Sequence, residues 1–92
     1  MIGSIKHRGL RVLYEQDNAR FIDAGMRARV IKILTILDAA DSIEKVDIPG
    51  YRLHKLTGSL QDYWSLRVTG NWRIIFRFED GVAYDVDLID YH

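Results

Sequence analysis

The sequence contains no cysteine. Disulfide frameworks, thiol nucleophiles and cysteine-ligated metals are therefore excluded. Pro49 is the single proline among 92 residues, so there is no proline-rich linker. No apolar run approaches the ~18 residues a membrane span needs. The start, Met1-Ile2-Gly3-Ser4-Ile5-Lys6-His7-Arg8, has no signal-peptide apolar region. We therefore expect neither secretion nor membrane insertion, and a cytoplasmic location. The seven glycines are scattered and form no phosphate-cradling loop. None of the three histidines pairs with another at metal-ligand spacing. Ser65 has no evident His–acid relay beside it. Net charge is formally zero, which argues against a generic basic coat protein for nucleic acid.

The chain does have enough apolar matter to fold. Hydrophobic residues make up 48% and charged residues 28%, values of a globular protein rather than a disordered one. At this length the expectation is one domain over residues 1–92 with a thin, two-layered core. The zero net charge conceals segregation. Residues 1–34 carry net +4, 35–50 net −3, 51–78 net +4 and 79–92 net −5. Such blocks either make a dipolar surface or pair with one another within the molecule.

Asp47-Ile48-Pro49-Gly50 is a turn signal that separates a helical half from a strand-rich half. Ile2 and Ile5 fit an edge strand. Leu10, Leu13 and Tyr14 fall at helical spacing, and Asp17-Asn18 ends that short helix. Met26, Val30, Ile33, Leu34 and Leu37 form one stripe of a second helix over about residues 20–39, with Arg29 and Lys32 off the stripe and wet. Period-two alternation predicts strands over 64–68, 72–79 and 82–88, and a weaker one over 51–56. Short turns between them make an antiparallel meander.

Register follows from requiring the apolar sets to share one face. A three-residue loop, Thr69-Gly70-Asn71, pairs Val68 with Trp72 and Arg67 with Arg73. A second, Glu79-Asp80-Gly81, pairs Phe78 with Val82, Ile74 with Val86 and Arg73 with Asp87. Trp64, Leu66, Trp72, Ile74, Phe76, Tyr84 and Val86 then face the long helix. The opposite face collects Arg67, Arg73, Arg77, Asp85, Asp87 and, by parity, Tyr91. Two arginines directly opposed repel. Either Asp85 and Asp87 neutralise them in a surface network, or the pair is an anion site, for which the planar guanidinium is suited. A cluster of Arg, His, Tyr and Lys is chemistry for metal-free transphosphorylation of RNA. That reaction needs a base for the ribose 2′-hydroxyl, cations for the phosphorane and an acid for the leaving 5′-oxygen.

The runs that carry these residues resemble a known family. They are Pro49-Gly50-Tyr51-Arg52-Leu53-His54-Lys55-Leu56, Tyr63-Trp64-Ser65-Leu66-Arg67-Val68, Gly70-Asn71-Trp72-Arg73-Ile74, Phe76-Arg77-Phe78-Glu79-Asp80-Gly81, Tyr84-Asp85-Val86-Asp87 and Asp90-Tyr91-His92. Together with Ile5-Lys6-His7-Arg8-Gly9-Leu10, they resemble the HigB-type toxins of plasmid-maintenance toxin–antitoxin systems, in the RelE superfamily. The resemblance implies a compact α+β fold, with two N-terminal helices on a curved, mainly antiparallel sheet of about four to five strands. It implies a ribosome-dependent endoribonuclease that cuts mRNA in the A site without metal or cofactor. It implies a helix-turn-helix antitoxin, through which alone DNA would be reached, and contact with the small ribosomal subunit and its RNA. Carried over by motif, Arg67 and Arg73 would hold the scissile phosphate. Tyr91, His92 and His54 would supply base, acid and orientation, with Asp90 and Lys55 as helpers. Lys6, Arg8, Arg11, Lys55 and Asn71 would contact RNA. The alternative is a non-catalytic module that blocks translation by occupying the A site, or acts as a corepressor.

Overall fold

The computed structural model describes residues 1–91; His92 lies outside the described residues. Helix α1 spans Arg8–Gln16 and α2 spans Arg27–Ala39. The His7 ring caps α1, its Nδ1 accepting the Leu10 N–H at 3.2 Å, so one of the helix's orphan donors is satisfied. At the other end Asp17 takes a left-handed conformation and returns its N–H to the Leu13 carbonyl. Helix α2 starts later than the apolar stripe predicts. Asn18 turns the chain by accepting from the Arg20 N–H, and Ala24–Met26 forms a single 3₁₀ turn. Asp, Asn and Gly25 favour turn over helix here. Met26 is still buried, as its place in the stripe demands.

Four antiparallel strands follow, in the order β1 (His54–Lys55), β2 (Trp64–Thr69), β3 (Trp72–Glu79) and β4 (Val82–Asp90). The N-terminal segment lies parallel beside β4 through isolated bridges, Ile2 to Ala83 and Ile5 to Val86. The fourth strand expected over 51–56 shrinks to two residues because Arg52 sits at φ 53, a conformation no regular strand adopts.

Both hairpins differ from the predicted register in one way: each has a two-residue turn and a bulge. Arg67 does oppose Arg73, but Thr69 rather than Val68 pairs with Trp72. Val68 is the extra residue, buried at the bulge. In the second hairpin Asp80 and Gly81 both have positive φ, the signature of a type I′ turn. Glu79 therefore pairs with Val82 and Phe78 with Ala83. A bulge at Asp85-Val86, with Asp85 at φ 53, then restores parity. Ile74 consequently pairs with Leu88, and Arg73 with Ile89 rather than Asp87. The shift also moves Tyr84 off the core face and puts Ala83 there. Trp72, expected inside, is 37% exposed at the sheet end.

The core lies where the stripe and the sheet meet. Val30, Ile33 and Leu37 of α2, Leu10 and Leu13 of α1, and Leu66, Ile74, Phe76 and Val86 of the sheet belong to one buried cluster. No helix among the described residues is long and apolar enough to cross a membrane. The opposite sheet face is left for polar groups.

Candidate active site

On that face Arg67 and Arg73 stand directly across from one another on β2 and β3, both half-buried. Like charges in this position are destabilising. Neither Asp85 nor Asp87 forms an ion pair with them. The Asp85 carboxylate accepts from Arg77 Nε at 2.8 Å, and Arg77 Nη1 donates to Glu79 at 2.9 Å. Asp87 accepts the Leu88 N–H at 3.0 Å. The Arg77 bond holds the Asp85 carboxyl below its ordinary range, and the same bond raises Arg77. A neutralised network therefore exists, but at the other end of the face. Among the described residues neither Arg67 nor Arg73 has an ion-pair partner.

The backbone of Arg67 is held from outside the sheet. Strand β1 stops pairing at His54 opposite Ser65, so the edge groups of Arg67 meet no strand. Instead its N–H donates to the Tyr51 carbonyl at 2.7 Å. Its carbonyl accepts from Arg29 Nε at 3.0 Å. The same guanidinium donates from Nη2 to Gly50 at 2.6 Å and lies 4.0 Å from the Tyr51 ring centre. Arg29, expected to be wet, is thus a half-buried strut from α2 to the strand that carries Arg67. Helical periodicity gave no sign of it, since a residue off the stripe reads as exposed.

Arg73 Nη1 donates to the carbonyls of Gly70 at 2.9 Å and Trp72 at 3.2 Å, which draws the guanidinium over the hairpin turn. The Tyr91 N–H donates to the Asn71 carbonyl at 2.8 Å, so the chain end is fastened to that same turn. Asp90 pairs in register with Trp72 at this end of the sheet. His54 leaves β1 on the face of Ser65 and Arg67. Its Nδ1 lies 3.2 Å from the Arg52 carbonyl. A carbonyl can only accept, so the ring nitrogen is the donor in this contact. Lys55, one residue on, leaves the opposite face, and its ammonium lies 5.1 Å from the Trp64 ring centre.

The structure thus brings Arg67, Arg73, His54, Asn71 and Tyr91 to one region and separates Lys55 from it. Arg8 and Arg11 lie on α1, Arg8 against the Phe21 ring at 4.9 Å and Arg11 bonded to the Ile5 carbonyl at 3.3 Å. Lys6 reaches the sheet and donates to the Tyr63 hydroxyl at 3.1 Å, a bond that raises the lysine above its ordinary value. Among the described residues no three His, Asp or Glu side chains are grouped to hold a metal ion.

Residues 3–92 match the family model of RelE-like toxins of type II toxin–antitoxin systems, HigB. The chain belongs to the HigB toxin family. It is 39% identical over 92 residues to Endoribonuclease HigB of Proteus vulgaris, covering all of both chains. It is 36% identical over 85 residues to Toxin HigB-1 of Vibrio cholerae serotype O1, covering 90% of each. Among solved structures it resembles a YafQ mutant from E. coli with TM-score 0.59 and 14% identity, covering 95% of this chain and 89% of that one, a likeness of fold. Membership makes the chain the endoribonuclease toxin of a toxin–antitoxin pair, with an antitoxin as its partner. The two helices on an antiparallel sheet are the fold the sequence implied.

Proposed function

We propose that this HigB-family toxin works in the cytoplasm on the ribosome, cutting mRNA in the A site by metal-independent transphosphorylation. The observation that carries the reading is the opposed Arg67 and Arg73, without ion-pair partners among the described residues. A permanently charged pair that repels itself gains by seating an anion. In the reaction the ribose 2′-oxygen bonds to the adjacent phosphorus as its proton passes to a base. The bond from phosphorus to the 5′-oxygen breaks, and an acid protonates that oxygen. The products carry a 2′,3′-cyclic phosphate and a 5′-hydroxyl. Arg67 and Arg73 stabilise the phosphorane, and His54, Tyr91 and His92 divide the roles of base, acid and orientation. Asp90 assists, and Asn71 contacts the mRNA. Lys6, Arg8 and Arg11 touch the backbone of ribosomal RNA. A chain of zero net charge suits this division, because the ribosome positions the message and the toxin adds a small cationic patch.

The test is the chemistry of the ends. Programmed ribosomes incubated with the toxin should yield mRNA cut in the A-site codon with 2′,3′-cyclic or 3′-phosphate ends, and the same mRNA without ribosomes should stay intact. Translation arrest with uncut mRNA would contradict the reading and favour the non-catalytic module.

A further inference from the structure

The polar face has a second cationic position, away from the arginine pair. Tyr63, Ser65 and Arg67 share a face by alternation, and the Leu56 N–H to Tyr63 carbonyl bond of 2.9 Å carries the pairing with the neighbouring segment back to Tyr63. Four residues of strand put Tyr63 about 13 Å from Arg67. Tyr63 is half-buried, and the exposed Lys6 ammonium lies 5.6 Å from its ring centre and 3.1 Å from its hydroxyl. Lys6 feels Asp85 and Asp87 at longer range but forms no ion pair with either. Asp85 is committed to Arg77.

Between the two cationic positions lies a closed floor. Ser65 is fully buried, with its hydroxyl lacking a hydrogen-bond partner among the described residues, and Ile75 opposite it is 4% exposed. The face therefore runs from paired arginines over a closed floor to an aromatic ring beside a lysine. That is the pattern of a single-strand track, where cations follow the backbone and rings take the bases.

We propose that Tyr63 and Lys6 form a second RNA subsite, in which a base flanking the scissile step stacks on the Tyr63 ring and Lys6 takes a backbone phosphate. The proposal rests on the reading of Arg67 and Arg73 as the scissile-phosphate site and extends it along the strand. Stacking is tolerant of base identity, so the subsite adds hold on the message rather than codon choice. It also gives Lys6 an mRNA contact in addition to the ribosomal RNA contact it shares with Arg8 and Arg11.

The probe is a hexanucleotide RNA with 2′-O-methyl groups throughout, whose blocked 2′-oxygens cannot attack. It is titrated to millimolar concentration into the isotope-labelled toxin, with amide shifts read by NMR. Shifts should appear around Tyr63 and Lys6 as well as around Arg67 and Arg73. Tyr63→Ala should weaken binding about tenfold, while Tyr63→Phe, which keeps the ring, should bind as wild type does. Lys6→Gln, at an exposed position that folding tolerates, should weaken binding and lower the salt slope by about one. Shifts confined to the arginines, or equal losses in Tyr63→Ala and Tyr63→Phe, would overturn the subsite and leave the arginine site standing. No shift anywhere would also overturn it, and the arginine site would then be judged by the end-chemistry assay alone.

Discussion

Three arginines share the polar face, and its two ends treat them oppositely. At one end Arg77 is bonded to Asp85 and Glu79. At the other, Arg67 and Arg73 oppose each other with no ion-pair partner among the described residues. The residue type and the strand surroundings are alike, so the difference is one of assignment. Arg77 stabilises the bulged hairpin, where Asp85 holds a left-handed backbone and its N–H bonds to Ser4 Oγ at 2.8 Å. The opposed pair is left to repel itself. A network that could have neutralised both ends is spent on one.

Four expected outcomes sharpen or break this contrast. The largest concerns what both ends share. Phe76 is fully buried beneath the face, so Phe76→Ala should lower stability by about 3–5 kcal/mol, read by urea denaturation. A small loss would mean that the two ends do not rest on one core. Next, Arg73→Ala should cut single-turnover cleavage about 10²–10³-fold, in a protein that still melts cooperatively and binds its antitoxin. Third, Arg29→Ala removes the strut to the Arg67 and Gly50 carbonyls. A loss of about 1.5–3 kcal/mol is expected, together with slower cleavage that Arg29→Lys restores only in part, since one ammonium cannot span both acceptors while covering the ring.

The smallest effect is at the neutralised end and depends on pH. The Asp85 carboxyl is held low by Arg77, so its contribution is present above the ordinary carboxylate range, about pH 3.9. It is lost as pH falls through the lowered folded value. The melting temperature of the wild type should therefore drop more steeply below about pH 4 than that of Arg77→Gln, in which Asp85 lacks its partner. Parallel curves would show that the pair contributes nothing to the hairpin.

How much of this was legible in the sequence depended on which physical rule spoke. Period-two alternation found all three long strands, and the requirement of a shared face found the Arg67–Arg73 opposition. The same rule misplaced Asp87, because parity counting cannot see a bulge. Asp85 at positive φ inserts a residue that only the backbone reveals. Tyr84 and Ala83 exchanged faces for the same reason. Helix α2 was visible as a stripe, but its start was set by the turn at Asn18 and the 3₁₀ turn before it. Arg29 was invisible because its role is to fill a gap left by a short β1, a tertiary fact with no local pattern. His54 was named on motif, and it leaves β1 on the face of Ser65 and Arg67; Tyr91 was named on motif and parity, and its backbone is fastened to the Asn71 turn. Lys55 was expected to assist there, yet strand alternation sends it to the other side.

We propose that the opposed arginines carry the chemistry and the neutralised one does not. This is tested by single-turnover cleavage on programmed ribosomes, with Arg73→Ala and Arg77→Gln compared beside the wild type after both are shown to be folded. The account predicts a loss of about 10²–10³-fold for Arg73→Ala and a rate within about twofold of wild type for Arg77→Gln, whose charge is already committed to Asp85 and Glu79. Wild-type cleavage by Arg73→Ala, or an equal loss in both variants, would contradict it.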